Sequence, residues 1–114
     1  MNKISLFVLL ILFIGIAGYT SGMFYVVVHE KAHVAVFTKY GIDSIVTLNP
    51  KMIDGATIPN ETQYIEKCND FCKSDQMNIE AVGYHTALLI FAGYLLASAL
   101  MGFYILFVRE YGYK

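Results

Sequence analysis

Along the chain, apolar positions gather into two long blocks separated by a mixed stretch of alternating and polar residues. Residues 4–28 contain no Asp, Glu, Lys or Arg, and apart from tyrosines their polar side chains are Ser5, Thr20 and Ser21. Residues 84–108 are also free of these charged types, although His85 lies among them. A helix needs roughly 20 predominantly apolar residues to cross the hydrocarbon core of a bilayer, and both blocks exceed that. The pattern predicts a mainly α membrane protein, one domain over residues 1–114, with two antiparallel transmembrane helices. The first spans about 4–28 and continues beyond the membrane surface to about Tyr40, where Gly41 supplies a helix stop. The second runs over about 75–108, capped by Ser74 or Asp75, with its membrane part at 84–108.

Residues 41–74 read as a small external loop region with a short hairpin. IDSIVTL alternates and is rich in β-branched residues, NPKMIDG supplies turn chemistry, and ATIP can return as a second strand. Pro59 keeps that strand at an edge. Asn60-Glu61-Thr62 matches an N-x-T sequon, and the same residues suit a surface turn. Gly18 and Gly22, Gly93 and Ala97, and Ser98 and Gly102 each stand four apart, a spacing that lets membrane helices approach closely. Small residues are also simply common in such helices.

The first block could also serve as a signal peptide. Its apolar run is longer than a ~7–15-residue signal core, and apolar character resumes as MFYVVV after Gly22. A retained anchor is therefore expected.

Composition agrees with the pattern. The 114 residues are 57% hydrophobic and 15% charged, with a formal net charge of -1, against about 25% charged in an ordinary soluble domain. No basic surface of the kind that binds nucleic acid is present. Lys3, Arg109 and Lys114 flank the two blocks against Glu110, whereas residues 29–83 hold five lysines and eight acids. Cationic flanks stay in the cytoplasm. This predicts a multi-pass protein of the cell membrane with both termini cytoplasmic and the central loop outside. Cys68 and Cys72 then face an oxidising compartment. On one helix, cysteines four apart have α-carbons close enough for a disulfide, although free thiols or a second metal site are the alternatives.

One motif carries chemistry. In VVVHEKAHVAVFTKYG, residues 26–41, His29, Glu30 and His33 form H-E-x-x-H. Helical residues four apart lie nearly one above the other, so the imidazoles of His29 and His33 can converge on one ion. Zinc accepts neutral imidazole nitrogen and keeps a position open in catalytic sites. Glu30, on a neighbouring face, is placed to act as a general base. Ionisable groups beside a membrane are costly to leave unpaired. The bland alternative is an interfacial helix with two solvated histidines.

VVVHEKAHVAVFTKYGI resembles the active-site helix of HExxH zinc metallopeptidases, the zincins, and is similar to helices of the intramembrane site-two proteases. The whole chain also looks like small membrane HExxH proteins of archaeal type, with a cysteine pair and an E-x-x-G-Y-H segment before the last helix. The zincin resemblance implies a bound Zn2+ and hydrolysis of peptide bonds by a zinc-bound water, with Glu30 as base and then acid. Val36 and Lys39 stand where a metzincin has glycine and histidine, which excludes that subclass. NPKMIDG echoes the site-two protease aspartate segment, with Asp54 at the corresponding place, but it lies in a polar turn. A gluzincin-like site takes a glutamate from a second helix, and Glu80 is the candidate.

Helix geometry favours the same residue. With both helices starting at the cytoplasmic face, His29 and His33 stand about 39 and 45 Å up the first helix. Glu80 stands about 43 Å up the second and His85 about 36 Å, turned roughly 140° away from it. Glu80 is thus the expected third ligand, with His85 and Asp54 as alternatives. Tyr84 shares the face of Glu80 and could donate to a developing oxyanion or serve as an interfacial anchor.

The expectation is a membrane-anchored zinc-dependent metallopeptidase working at the outer membrane surface. Its partners are the lipid bilayer, a peptide or membrane-protein substrate, and a homo-oligomeric copy or partner subunit, because little external chain is left to build a cleft. The alternative is a non-catalytic membrane interaction or regulatory protein with a structural or vestigial metal site.

Overall fold

The computed structural model describes residues 2–108. Arg109, Glu110 and Lys114, on which the predicted orientation partly rests, lie outside the described residues. The molecule is a rod of 72 × 23 × 16 Å built on two long helices. Helix α1 runs unbroken over Lys3–Lys39. Its first turn is closed by Asn2, whose side chain accepts from the Ser5 amide at 2.8 Å, and it ends at Gly41, which takes a left-handed φ of 70°. Glycine pays no Cβ penalty there, so the chain reverses sharply.

Strands β1 (Ser44–Asn49) and β2 (Asp54–Pro59) pair antiparallel, with Ser44 opposite Pro59 and Asn49 opposite Asp54. The predicted hairpin is therefore present, with NPKMIDG at its turn. Along β2, Gly55, Thr57 and Pro59 are half-buried while their neighbours are exposed, the period-two signature of a strand lying on a surface. That surface includes α1. A Cβ on Gly55 would stand 2.9 Å from Val26 Cγ1 and 3.2 Å from Glu30 Cγ. The absent side chain is what lets the strand backbone close on the helix.

The expected loop 41–74 carries more structure than a hairpin. Helix α2 covers Glu61–Lys67 and is capped by Asn60, whose side chain accepts from the Gln63 amide at 3.1 Å. Helix α3 covers Asp70–Phe103 and passes into a π-helical turn at Tyr104–Val108. It thus starts ahead of the expected 75. The cap is Asn69, which accepts from the Cys72 amide at 3.0 Å, rather than Ser74 or Asp75. Cys68 and Cys72 are at disulfide distance, with α-carbons 5.1 Å apart. They do not share one helix: Cys68 ends α2 and Cys72 lies in the first turn of α3.

This pair completes a small core. Phe37, Ile42, Cys68 and Cys72 are buried together, with Tyr40 and Tyr64 packed against them. Burying a side chain such as Phe37 or Ile42 contributes about 1.5–3 kcal/mol, and closing so short a loop contributes about 2 kcal/mol by chain entropy. The cluster fixes where α3 begins relative to the C-terminal end of α1. Nearby, the Lys39 ammonium and the Tyr40 hydroxyl both donate to Asp75 Oδ2 at 2.8 Å.

Farther down, α1 and α3 meet through Tyr94, whose hydroxyl donates to the Ile14 carbonyl. A Cβ on Gly18 would stand 2.9 Å from that hydroxyl, so Gly18 makes the space for it. Gly93 and Gly102 have nothing within 4 Å of a built Cβ and play no such part. Both long helices are long and apolar enough to cross a membrane. Little of their most apolar stretches is buried within the molecule.

Candidate metal centre

The site forms where the C-terminal half of α1 faces the first turns of α3. His29 and His33 are one helical turn apart on α1, and their Nε2 atoms lie 3.2 Å from each other. Glu80 reaches across from α3, its Oε1 standing 2.9 Å from His33 Nε2 and 3.7 Å from His29 Nε2. Three ligand atoms from three residues therefore face one point, and the group could hold a metal ion. The spacing itself tests the fit. Tetrahedral zinc with bonds of about 2.0–2.1 Å separates neighbouring ligand atoms by about 3.3 Å. The three observed separations, 3.2, 2.9 and 3.7 Å, bracket that value.

Neither alternative third ligand joins the group. His85 is exposed one turn deeper on α3. Asp54 begins β2, where its Oδ1 accepts from the Gly55 amide at 2.8 Å.

The two imidazoles are held from behind. Nδ1 of His33 is hydrogen-bonded to Oε1 of Gln76, and the Gln76 amide nitrogen donates to the His33 carbonyl at 3.4 Å. An amide oxygen can only accept, so the hydrogen sits on Nδ1 and the Nε2 lone pair is left facing Glu80 and His29. Support of this kind sets both the tautomer and the ring orientation of a metal ligand. His29 is held by packing. The Tyr25 ring stacks on it with centroids 5.8 Å apart, while the Tyr25 hydroxyl donates to the Gly83 carbonyl at 2.6 Å. Gly83 itself leaves room for the imidazole.

No known protein family, curated protein or solved structure matches the chain. What the site can do therefore rests on its own geometry.

Glu30 is not among the converging ligands. It is only 7% exposed and turns toward the hairpin, where the Thr57 hydroxyl donates to its Oε2 at 2.6 Å. The Glu30 carbonyl is a second acceptor for that hydroxyl at 3.0 Å. Among the described residues, the Thr57 hydroxyl bonds Oε2 and leaves Oε1 as the other carboxylate oxygen. Between the hairpin and the helices lies a cavity of about 420 Å³ bordered by His29, Glu30 and Glu80. Tyr84 also borders it, at 73% exposure.

Four supporting residues were not anticipated from the sequence: Tyr25, Thr57, Gln76 and Gly83. Two carried a signal. Tyr25 stands four residues before His29 and Gln76 four before Glu80, so each shares a helix face with a ligand. Thr57 carried none, because its role exists only once the hairpin has docked on α1. Gly83 stood in the E-x-x-G-Y-H segment, but the pattern gave it no role before the two helices were seen packed.

Proposed function

We propose that the chain is a membrane-anchored, zinc-dependent peptidase whose site stands at the outer surface of the membrane. The observation that carries this reading is the convergence of His29, His33 and Glu80 beside a buried carboxylate that does not take part in it. Two imidazoles and one carboxylate are a donor set of catalytic zinc sites, which keep a further position open. When bound, zinc supplies a Lewis acid that polarises a carbonyl and acidifies a water.

The rest of the chemistry belongs to the chain. Thr57 occupies Oε2 of Glu30 and fixes the carboxylate plane, so Oε1 takes the proton from the attacking water. The same oxygen later delivers that proton to the departing amine. Gln76 holds His33 in the tautomer that offers Nε2, and Tyr25 with Gly83 sets the position of His29. The two apolar helices span the bilayer, with the termini on the cytoplasmic side. The disulfide-distance pair fits an oxidising outer compartment.

The test uses full-length protein in detergent. Wild type and Glu30→Gln should each hold about one zinc per chain, while only wild type cleaves a membrane-protein substrate library. Folded wild type without zinc would overturn the metal centre. Cleavage by neither would overturn catalysis and leave a non-catalytic metal-holding membrane protein, and equal cleavage by both would remove Glu30 as the base.

A further inference from the structure

The cavity beside the metal centre is graded along the rod. Its outer end is bordered by His29, Glu30 and Glu80, and its inner end by Gly22, Ile53 and Ala87. The inner end is closely built and mostly apolar, with Asp54 beside Ile53 as the acidic residue nearest it. Ile53 Cγ2, at the hairpin turn, stands 2.9 Å from where a Cβ on Gly22 would lie. That contact draws the hairpin tip down to the level of the apolar block.

Depth follows from counting. About 20 helical residues cross the hydrocarbon. Counted outward from residue 4 they reach Met23, and counted back from residue 108 they reach Leu89. Gly22 and Ala87 border the cavity beside these two positions and inside the apolar blocks 4–28 and 84–108, so its floor lies at hydrocarbon depth near the outer edge. His29 stands about 9 Å farther out along α1. At about 3.3 Å per extended residue, roughly three residues of a polypeptide join floor to metal centre.

We propose that this cavity receives the segment of a polypeptide that has just left the bilayer, with the last apolar residues of its own membrane span on the floor. The proposal rests on the peptidase reading and names its substrate class. A water-borne peptide reaches the polar outer end without bringing anything that must leave lipid for the floor. A membrane-spanning chain moving laterally presents an apolar residue at floor depth and an extended, hydratable backbone at the level of Glu30. Cleavage then falls about three residues outside the substrate's span.

The test places a photo-crosslinking amino acid at Ala87 in the Glu30→Gln protein, with a second version at Ile53 on the opposite wall. Zinc content serves as the check that each is folded. Each is reconstituted in phosphatidylcholine–phosphatidylglycerol vesicles with one of two peptides: a synthetic single-span peptide with a randomised outer segment, or that segment alone in solution. Both probes should capture the spanning peptide and not the soluble one. Wild type should cut the spanning peptide close to its span, and a flexible spacer after the span should lower cleavage of the displaced segment roughly a hundredfold, the scale of a misplaced reacting group. Equal capture and cleavage of the soluble peptide would overturn the proposal and leave the peptidase reading standing. Capture of lipid alone by both probes would also overturn it. Capture of the spanning peptide without cleavage by wild type would support the docking site and overturn the peptidase reading instead.

Discussion

The imidazole of His29 lies directly over Gly83 of the facing helix: a Cβ at residue 83 would stand 2.6 Å from its Cε1 and 2.7 Å from its Nδ1. Those distances are too short for any real methyl contact, so Gly83→Ala must push the ring away from His33 and Glu80. Alanine is the better helix former by about 1 kcal/mol, and the helix itself gains from the change. Zinc affinity is expected to fall by at least the ~10–100-fold seen when support around a metal ligand is lost. Gly93→Ala, which meets nothing within 4 Å, should leave affinity unchanged. Equal affinities for the two variants by competition with a chromogenic chelator would refute the relationship.

Glu80 is the third ligand in the proposed centre, so Glu80→Ala should release zinc more readily than His85→Ala or Asp54→Ala. Removing a ligand costs more than removing a group behind one, for which ~10–100-fold is typical. If His85→Ala empties the site and Glu80→Ala does not, the convergence of Glu80 on the two imidazoles has no part in metal binding.

Gln76 acts through His33 and should show the smaller penalty. Gln76→Ala is expected to weaken zinc binding ~10–100-fold, while Gln76→Asn, whose shorter side chain keeps the amide, recovers only part of it. Nitrogen chemical shifts of the His33 ring offer a second readout. Wild type should show the hydrogen on Nδ1, and loss of Gln76 should mix the tautomers.

The cysteine pair gives a topological check. With residues between the helices outside the cell, Cys68 and Cys72 should resist a membrane-impermeant thiol reagent on intact cells until a reductant is added. Labelling without reductant would mean free thiols. Labelling only after the cells are opened would place this part of the chain inside.

The Lys39–Asp75–Tyr40 contact sets a pH window. Hydrogen bonds from Lys39, then from Tyr40, hold the Asp75 carboxyl below its ordinary value of 3.8. Its contribution is therefore present above that value and fades as pH falls through the lower, folded one. The hydrogen bond to Asp75 raises the Lys39 ammonium above 10.5, so its share persists below 10.5 and is lost as pH rises further. Asp75→Asn should flatten the acid limb of a melting-temperature profile by slightly lowering its neutral plateau while leaving the acid end unchanged, a small loss because Lys39 is exposed and the pair is screened. An acid limb of unchanged slope would remove the contact from the account.

How much of this could be read beforehand depended on how local each feature was. His29 and His33 converge because a helix repeats every 3.6 residues, and that needs no tertiary information. Glu80 came within reach by measuring both helices outward from the membrane, since two rods of fixed rise keep their heights. The start of α3 was misplaced. The spacing of Cys68 and Cys72 suggested a single helix, whereas the chain breaks between them and Asn69 supplies the cap. The signal was available in Asn69 followed by an acid at Asp70, a good opening for a helix. The hold of Thr57 on Glu30 was out of reach, because it depends on Gly55 letting β2 lie against α1.

Each residue of the proposed centre rides on a helix that continues without a break from the site into the apolar block, so the protein is a pair of levers. The Tyr94–Ile14 contact lies about 22 Å down α1 from His29. A change of only ~5° in the crossing angle there would move the ligands by about 2 Å, as much as a whole zinc–nitrogen bond. Spans tilt to match the thickness of the bilayer around them. Lipid chain length should thus tune zinc affinity in vesicles, with one thickness binding best and both thinner and thicker bilayers binding less.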